Sequence, residues 1–250
     1  MIVYLPPSYT ENTLKVYSNV LVMHDGQNLF DPATAFLGNA WMIQDTLDPL
    51  IYNGDIEEVL VIGAWNTADR MNEYTYSFDP SEGFGGKGDL YLDFLEQTLL
   101  PLMQEKLRIK LDKGGRLGMM GSSLGGLISC YAGWKRPQVY GRVGCMSSSF
   151  WWNNQDFLSK VLPSKAMKPS ERPLIYMDTG TEGGEAEIMK DTASIKTFII
   201  NSSGYSDGVD LETYVDQGGQ HNEYFWGRRF YKPITFLYPI SISNKVVMTE

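Results

Sequence analysis

The residues with the clearest chemical potential lie in Gly121–Gly125, which reads GSSLG and matches the pattern G-x-S-x-G. A predicted strand, Arg116–Met120, precedes this pattern, and a predicted helix follows it from Leu124. A sharp turn between a strand and a helix lifts the central serine hydroxyl above the sheet, where it can act as a nucleophile. The alternative is a glycine-rich turn that only packs tightly. The strand and helix on either side favour Ser123 as the nucleophile of an acyl-transfer reaction.

The base that would activate this serine must be one of only two histidines, His24 and His221. A serine hydroxyl is a poor nucleophile until a neighbouring base takes its proton. His221 lies in the glycine-containing segment Gly218–Glu223 after the last predicted strand, and serine, acid, histidine is one of the known orders of catalytic triads. His24 ends an early strand, where a structural or pocket-shaping role is expected. The sequence therefore predicts His221 as the base.

The third group would orient the imidazole and stabilise its protonated form, and it is expected after the strand that ends at Asp178. This part of the chain offers three carboxylates, Asp178, Glu182 and Glu185. Asp178 is still within the apolar run, and Glu185 begins a predicted helix, where the helix dipole explains an acidic residue. Glu182 lies on the glycine-rich turn and is the predicted acid, with Asp178 as the alternative. Asp207 and Asp216 are further candidates with less support.

Acyl transfer also needs backbone amides that stabilise the oxyanion of the tetrahedral intermediate. Leu124, the residue after the nucleophile, supplies one of them. The second is expected in the loop His24–Asn28, where Gly26 frees the backbone to turn, and the amide of Gln27 is the candidate. The alternative for the wider segment His24–Asp31 is a plain polar turn, because its acidic residues fall far short of a calcium-loop pattern.

Short apolar runs alternate with longer helical patterns along the chain. This is typical of an α/β fold with a mostly parallel central sheet flanked by helices. Because most runs are continuous, the strands are expected to be covered on both faces. The predicted strands are Val3–Leu5, Val20–His24, Val59–Ala64, Arg116–Met120, Gly141–Met146, Leu174–Asp178 and Leu211–Val215. The predicted helices are one from Asp89 that Pro101 bends or interrupts, one from Leu124 towards Lys135, Glu185–Ser203, and one from near Asn222.

The 250 residues fit a single domain, with residues 238–250 as a C-terminal tail and Tyr76–Gly88 as a long surface loop near the site. A hydrophobic content of 43% excludes a disordered chain. The net charge of −9, without a basic run, argues against nucleic acid and anionic membranes as partners. No stretch approaches the roughly 18 apolar residues of a membrane span, and no signal-peptide pattern is present. The chain is therefore expected to be soluble, either cytoplasmic or secreted with a leader removed.

The cysteine and histidine content argues against a metal site. Cys130 and Cys145 do not have the CxxC spacing of zinc or redox motifs, and two histidines cannot build a multi-histidine centre. No metal and no cofactor are therefore expected. Both cysteines lie in apolar stretches and are predicted to be buried free thiols.

The motifs extend beyond the serine turn to four segments, namely Val20–Asp31, Asn66–Tyr74, Gly121–Gly126 and Gly219–Trp226. Together they resemble the esterase family related to esterase D, which includes enterobactin-type trilactone esterases, feruloyl and acetyl-xylan esterases of carbohydrate esterase family 1, and mycolyltransferases. The resemblance spans nearly the whole chain and implies an α/β-hydrolase fold without a large lid. It carries over Ser123 as nucleophile and His221 as base, and it assigns the oxyanion hole to the amides of Gln27 and Leu124.

Two features depart from the pattern of that family. The family commonly has a strand or hairpin before the strand that begins at Ile2, so the first edge of the sheet is expected to be trimmed. Many relatives carry the acid three residues beyond the glycine of the turn, where this chain has Gly183, and Glu182 is one residue earlier. The resemblance therefore supports the acid less directly than it supports the serine and the histidine.

Aromatic and polar side chains near strand ends are candidates for substrate binding. Trp41 and Trp151 could stack on a sugar or an aryl group, or they could cap the core. Asn66 and Arg70 follow the carboxyl end of another strand, where open α/β sheets bind ligands. Arg70 could hold an anionic or catecholate group or could simply pair with Glu73.

These observations predict a serine carboxylic-ester hydrolase that forms an acyl-enzyme at Ser123. The expected substrate is a small-molecule or glycan ester of the acetyl or feruloyl type. The alternatives are a siderophore-trilactone hydrolase and an acyltransferase of the same fold. A non-catalytic binding protein is a further alternative, against which the intact Ser123 and His221 argue.

Overall fold

A seven-stranded sheet forms the centre of the computed structural model, which describes residues 1–240. The strands are β1 (Ile2–Tyr4), β2 (Val20–Met23), β3 (Leu60–Gly63), β4 (Phe78–Asp79), β5 (Phe84–Gly85), β6 (Leu117–Ser122), β7 (Arg142–Met146), β8 (Leu174–Gly180) and β9 (Leu211–Asp216). The order across the sheet is β1-β3-β2-β6-β7-β8-β9, and β4 and β5 form a separate hairpin. All seven predicted strands are present, and the loop predicted over Tyr76–Gly88 contains the hairpin.

The sheet is parallel except for β1, which pairs antiparallel with β3 at one edge. Every residue of β2, β3 and β6 is buried. Two buried apolar clusters pack against the sheet, so each strand needs apolar side chains on both faces and its sequence does not alternate. The predicted α/β-hydrolase architecture is confirmed, and the carboxyl ends of the parallel strands meet at one edge.

The helices cover this sheet. They are α1 (Ser8–Glu11), α2 (Ile43–Tyr52), α3 (Arg70–Glu73), α4 (Gly88–Phe94), α5 (Leu100–Lys106), α6 (Leu124–Lys135), α7 (Trp152–Asp156), α8 (Glu185–Ser203), α9 (Glu223–Arg229) and α10 (Tyr231–Leu237). The bounds of α6 and α8 agree with the sequence. The helix predicted from Asp89 changes to π-helical geometry over Leu95–Leu99, directly before Pro101 in the first turn of α5. A proline removes one backbone donor, and this local change of helix type keeps the helix running past it.

The prediction of two free thiols is wrong, because Cys130 on α6 and Cys145 on β7 form a disulfide. The helix lies so close to the strand that a Cβ on Gly133 would come within 2.8 Å of the Val143 side chain. This approach leaves the two cysteine Cα atoms 5.8 Å apart, within the range that a disulfide spans. The bond ties the helix that follows Ser123 to the neighbouring strand.

Loss of this disulfide is expected to lower the free energy of unfolding by about 3 kcal/mol, because the bond restricts the unfolded chain over a short loop. Urea denaturation of the wild type with and without dithiothreitol, and of the double variant Cys130→Ala/Cys145→Ala, would measure this. The reduced wild type lacks the disulfide but keeps both cysteine side chains, so it measures the effect of the bond without the cavity that alanine creates. Equal midpoints for oxidised and reduced wild type would contradict the expectation.

The C-terminal part of the described chain is not a loose tail. Tyr238 is fully buried, and its hydroxyl donates to the carbonyl of Val20 at 3.2 Å. Tyr238 therefore belongs to the packed structure, although the sequence places it in the tail predicted for 238–250. Residues 241–250 lie outside the described residues. Within residues 1–240, no helix combines the length and apolar character that a membrane span requires.

Candidate active site

Ser123 lies where β6 ends and α6 begins, in a strained backbone conformation with φ 57° and ψ −122°. The turn is tight because a Cβ on Gly121 would come within 2.8 Å of the backbone of Gly125. The Ser123 amide donates to the carbonyl of Met146 at 3.0 Å, and its hydroxyl lies 3.2 Å from that of Ser149. Such strain persists only where surrounding contacts impose it, and here it presents a half-buried hydroxyl at the carboxyl edge of the sheet.

His221 lies on the loop between β9 and α9 and pairs with a carboxylate that the sequence did not favour. Its Nδ1 is 3.0 Å from Oε1 of Glu185. The ring also packs edge-on against Trp226, with centroids 4.9 Å apart. Pairing through Nδ1 leaves Nε2 to exchange protons with a substrate and a nucleophile. The structure therefore pairs the histidine with a carboxylate, as expected. The carboxylate is Glu185, whereas the sequence predicts Glu182.

Glu185 is fully buried, and its other oxygen, Oε2, accepts from the amide of Gly180 at 3.0 Å. Burial raises the pKa of this carboxyl, but the hydrogen bond and the charge of His221 oppose the effect of burial, and the pKa of Glu185 is lowered overall. Glu185 thus remains ionised beside the imidazole. This is the property that a triad acid needs in order to stabilise the imidazolium.

The prediction of Glu182 as the carboxylate facing His221 is wrong. Its side chain is exposed, and its backbone amide donates to the carbonyl of Gly219 at 2.9 Å. After it, Gly183 and Gly184 adopt φ of 61° and 92°. These left-handed conformations suit glycine, and the first side chain of α8 then lies against the histidine loop. The pair of glycines was the only signal in the sequence for this reversal.

Asp178, the alternative acid, is also excluded from contact with His221. It is fully buried in an ion pair with Arg229, whose Nη2 lies 2.9 Å from Oδ1. The two further candidates for the acid are also paired with basic side chains. Asp216 accepts from Arg228, and Asp207 accepts from Lys196. The ion pair of Asp178 is a packing feature behind the site.

The two amides predicted for the oxyanion hole both lie in first turns. Leu124 is the first residue of α6, and Gln27 lies in a short 3₁₀ turn, Gly26–Asn28, directly after β2. First-turn amides have no acceptor within their own helix and are free to bind an anionic oxygen. Gln27 also lines the cavity that contains Ser123. The oxyanion role of these amides stays a prediction.

His24 packs beneath the nucleophile turn and is not part of the cavity lining. It is 2% exposed, its Nδ1 lies 2.9 Å from the hydroxyl of Tyr91, and its ring packs against Tyr74. Burial lowers the pKa of His24 to about 4, so it is neutral at physiological pH. A Cβ on Gly125 would lie 3.2 Å from His24 Cβ, which agrees with the structural role expected for this histidine.

A cavity of about 550 Å³ brings Ser123 and His221 together. The other residues that line it are Asp25, Gln27, Asn28, Thr34, Ala35, Phe36, Leu37, Asn39, Asn66, Arg70, Ser122, Asn222, Glu223 and Trp226. Polar amides and hydroxyls form much of this wall, and Phe36 and Leu37 contribute exposed apolar surface. Asn66 and Arg70 therefore lie where the sequence placed them.

The two tryptophans do not line this cavity. Trp41 is 5% exposed and packs against Trp226 and Phe230, so it belongs to the core. Trp151 is partly exposed beside Trp152, in the segment that follows β7. The structure therefore places Trp41 in the core and outside the lining of the cavity that contains Ser123, and the substrate contact of Trp151 stays a prediction.

Arg70 is paired with a carboxylate inside the cavity, so its charge is balanced there. Its Nε and Nη2 donate to the two carboxylate oxygens of Asp25, both at 2.8 Å, and Asn66 donates to the same carboxylate at 2.6 Å. The predicted partner Glu73 instead accepts from Thr67. A bidentate pair of this kind neutralises the guanidinium charge and fixes its geometry.

Glu223 is a cavity residue that the sequence did not single out. Its Oε1 accepts from Nδ2 of Asn28 at 3.1 Å, which links the histidine side of the site to the turn of Gln27. Burial, with a smaller contribution from the Asp25 charge, raises the pKa of Glu223. The charges of Asp25 and Arg70 balance each other. When Glu223 is ionised, the cavity wall therefore carries one net negative charge.

Known proteins resemble this chain in sequence and in fold. A family model described as "Putative esterase" matches residues 1–234. The Bacillus subtilis "Uncharacterized protein YbbA" is 26% identical over 246 residues, which are 94% of this chain and 90% of that protein. A siderophore triacetylfusarinine C esterase of Aspergillus fumigatus is 29% identical over 103 residues, which are 40% of this chain and 34% of that protein. An IroE-like serine hydrolase from Shewanella oneidensis has a TM-score of 0.73 at 19% identity, covering 98% of this chain and 79% of that one.

Proposed function

The chain belongs to the esterase family whose model matches it, and we propose that it is a serine carboxylic-ester hydrolase working through an acyl-enzyme at Ser123. The observation that carries the proposal is the pairing of His221 with the buried Glu185 in a site whose cavity also contains the strained Ser123. Nucleophile, acid and base follow one another along the chain as Ser123, Glu185 and His221, an order that other triad enzymes share. Membership of this family and the similarity to siderophore esterases support ester hydrolysis, and the serine mechanism is the finer step proposed here.

In the proposed reaction, the Ser123 hydroxyl attacks the ester carbonyl while Nε2 of His221 accepts its proton. The amides of Gln27 and Leu124 stabilise the oxyanion that forms. Glu185 holds the imidazole through Nδ1 and stabilises its positive charge. The imidazolium then gives its proton to the departing alcohol, which leaves an ester on Ser123. Water, activated by the same histidine, hydrolyses this acyl-enzyme.

The charges around the cavity favour a neutral ester of the acetyl or feruloyl type, on a small alcohol or on a carbohydrate. Arg70 is neutralised by Asp25, and the remaining charge of Glu223 repels an anionic substrate. The amides of Asn39 and Asn66 in the lining can hydrogen-bond to the hydroxyls of a sugar. Hydrolysis of a siderophore trilactone is the second candidate, favoured by the similarity to a siderophore esterase. Acyl transfer to an alcohol would use the same residues.

Turnover of a substrate panel tests the proposed function. We expect hydrolysis of p-nitrophenyl acetate and butyrate, methyl ferulate or acetylated xylan, each abolished in the variant Ser123→Ala. Activity confined to a catecholate trilactone would replace the leading substrate class with the second candidate. Acyl transfer would appear as a product ester when a competing alcohol is added.

Removing the charge of Glu223 is expected to improve the relative turnover of an anionic ester. One unit charge about 8 Å away at an effective dielectric constant of about 40 contributes about 1 kcal/mol, or roughly fivefold in rate. The variant Glu223→Gln keeps an oxygen that can accept from Asn28. The measurement is kcat/KM for p-nitrophenyl hemisuccinate relative to p-nitrophenyl butyrate at pH 8 and low ionic strength. In Glu182→Gln, which removes an equal charge from an exposed site, the ratio should stay constant. An equal ratio in both variants would count against a charge effect within the cavity.

A further inference from the structure

The hydroxyl of Ser149, in the segment that follows β7, lies beside the nucleophile and behind the cavity. Its Oγ is 3.2 Å from Oγ of Ser123, and within residues 1–240 this hydroxyl has no other hydrogen-bond partner. Ser149 is 1% exposed and is not among the residues that line the cavity around Ser123. It therefore contacts the reacting oxygen from the side opposite to the substrate.

Backbone hydrogen bonds fix the two serines relative to each other. The amide of Ser123 donates to the carbonyl of Met146 at 3.0 Å, and the amide of Ser149 donates to the carbonyl of Ser123 at 3.1 Å. The carbonyl of Ser149 in turn accepts from the amide of Trp152 at 3.1 Å. Because the peptide groups on both sides of its side chain are held, the Ser149 hydroxyl stays within reach of Oγ of Ser123.

The proposed reaction decides which of the two hydroxyls donates. During attack the proton of Ser123 goes to Nε2 of His221, so the Ser123 oxygen can then only accept from Ser149. In the acyl-enzyme this oxygen belongs to an ester and carries no proton. Ser149 keeps its own proton throughout, and it is therefore the donor in both states.

We propose that Ser149 is a catalytic residue for deacylation, whose hydroxyl donates to the ester oxygen of acylated Ser123. The inference rests on the proposed acyl-enzyme. A hydrogen bond to this oxygen withdraws electron density from the ester and makes the carbonyl carbon more electrophilic. It also stabilises the negative charge that develops on the same oxygen when the ester bond breaks.

The deacylation step balances with Ser149 as a donor that never gives up its proton. Water adds to the carbonyl carbon while Nε2 of His221 takes a proton from the water. The bond between the carbonyl carbon and Oγ of Ser123 then breaks, and the imidazolium returns that proton to Oγ. The products are the carboxylic acid and the free Ser123 hydroxyl.

The same hydrogen bond has little net effect on acylation. In that step Oγ of Ser123 is the attacking atom, and a donor on it makes the oxygen a weaker nucleophile. The donor also stabilises the oxygen as its proton leaves, which opposes the first effect. We therefore expect Ser149 to affect the two halves of the reaction unequally.

Steady-state kinetics of Ser149→Ala should show this inequality. We expect kcat for p-nitrophenyl butyrate to fall about five- to tenfold, which is the contribution of one hydrogen bond. Where deacylation limits turnover, KM falls by the same factor, because KM then depends on the ratio of the deacylation and acylation rate constants. The ratio kcat/KM reports acylation and should stay within about twofold of the wild type. Damage to packing around the nucleophile would lower kcat/KM as well.

A carbamate makes the same comparison whichever step limits ester turnover. We expect p-nitrophenyl dimethylcarbamate to carbamoylate Ser123 at similar rates in the wild type and in Ser149→Ala, measured as release of p-nitrophenol. After excess reagent is removed, esterase activity should return about five- to tenfold more slowly in the variant. Equal recovery rates would overturn the proposal, and so would a carbamoylation rate that falls as much as the recovery rate.

The preceding residue provides a matched control. Ser148 is also fully buried, and its hydroxyl has no hydrogen-bond partner among the described residues. Ser148→Ala should therefore keep both rates within about twofold of the wild type. If recovery slows as much as in Ser149→Ala, the effect is one of packing after β7, and the proposal is overturned. Absence of carbamoylated Ser123 in the wild type, measured by intact-protein mass spectrometry, would instead overturn the proposed function and this inference with it.

Discussion

Replacement of Ser123 by alanine is expected to lower kcat/KM for p-nitrophenyl acetate by about four to six orders of magnitude. The hydroxyl of Ser123 is the atom that becomes acylated, and without it His221 and Glu185 have no nucleophile to activate. Any residual rate would reflect the oxyanion amides and substrate binding. The fold should be retained, because serine and alanine accept the same backbone geometry with a Cβ at φ 57°.

A fluorophosphonate probe gives an independent measurement of the same prediction. The probe should label the wild type and the neighbouring variant Ser122→Ala, but not Ser123→Ala. The neighbouring variant shows which serine of the GSSLG turn reacts. Full labelling of folded Ser123→Ala, or turnover unaffected by the substitution, would remove the serine mechanism and support a non-catalytic or different role for the cavity.

Glu185→Gln is expected to lower kcat by about two to four orders of magnitude. The amide is nearly isosteric with the carboxylate but carries no charge, and its nitrogen can donate to Nδ1, which favours the wrong imidazole tautomer. Steady-state kinetics should show the loss in kcat with little change in KM, because Glu185 is buried behind His221 and does not line the cavity.

The two carboxylates favoured by the sequence serve as controls. Glu182→Gln changes an exposed side chain on the same turn and should leave turnover close to that of the wild type. Asp178→Asn should act on stability, because it removes the nearer of the two carboxylates that pair with the buried Arg229 and leaves only Asp216 at 3.6 Å, at a cost of about 3 kcal/mol. If kcat falls more in Glu182→Gln than in Glu185→Gln, then Glu182 and not Glu185 is the triad acid.

The features that the sequence predicted correctly depend on short stretches of chain. Continuous apolar runs gave the seven strands, because a strand covered on both faces needs apolar residues at every position. The bounds of α6 and α8 follow from local signals, Ser123 as the serine of a strand-to-helix turn and Gly204 as a C-terminal stop. The sequence predicts His221 as the base by counting and by order along the chain, since the only other histidine, His24, directly follows an early strand, and this role stays a prediction.

The features that the sequence did not predict depend on contacts between residues that are far apart along the chain. Trp41 has an aromatic side chain that could stack on a ligand. It instead packs against Trp226 and Phe230, which come from the other end of the chain. Arg70 was considered for an anion, while its actual partner, Asp25, lies on the turn after β2. Side-chain pairing across such separations is set by the packing of loops at the sheet edge, which local propensity does not encode.

By itself, the sequence determined the α/β architecture and the strand-to-helix turn at Ser123, and it predicted His221 as the base, because each depends on residue types within a few positions. Only the tertiary structure decided that Glu185 pairs with His221, that Cys130 bonds to Cys145, and that Arg229 donates to the hydroxyl of Ser147. The physical reason is the same in each case. A buried carboxylate, a thiol and a hydroxyl acquire their chemistry from the groups that replace water around them, and those groups come from strands and helices far apart in the chain.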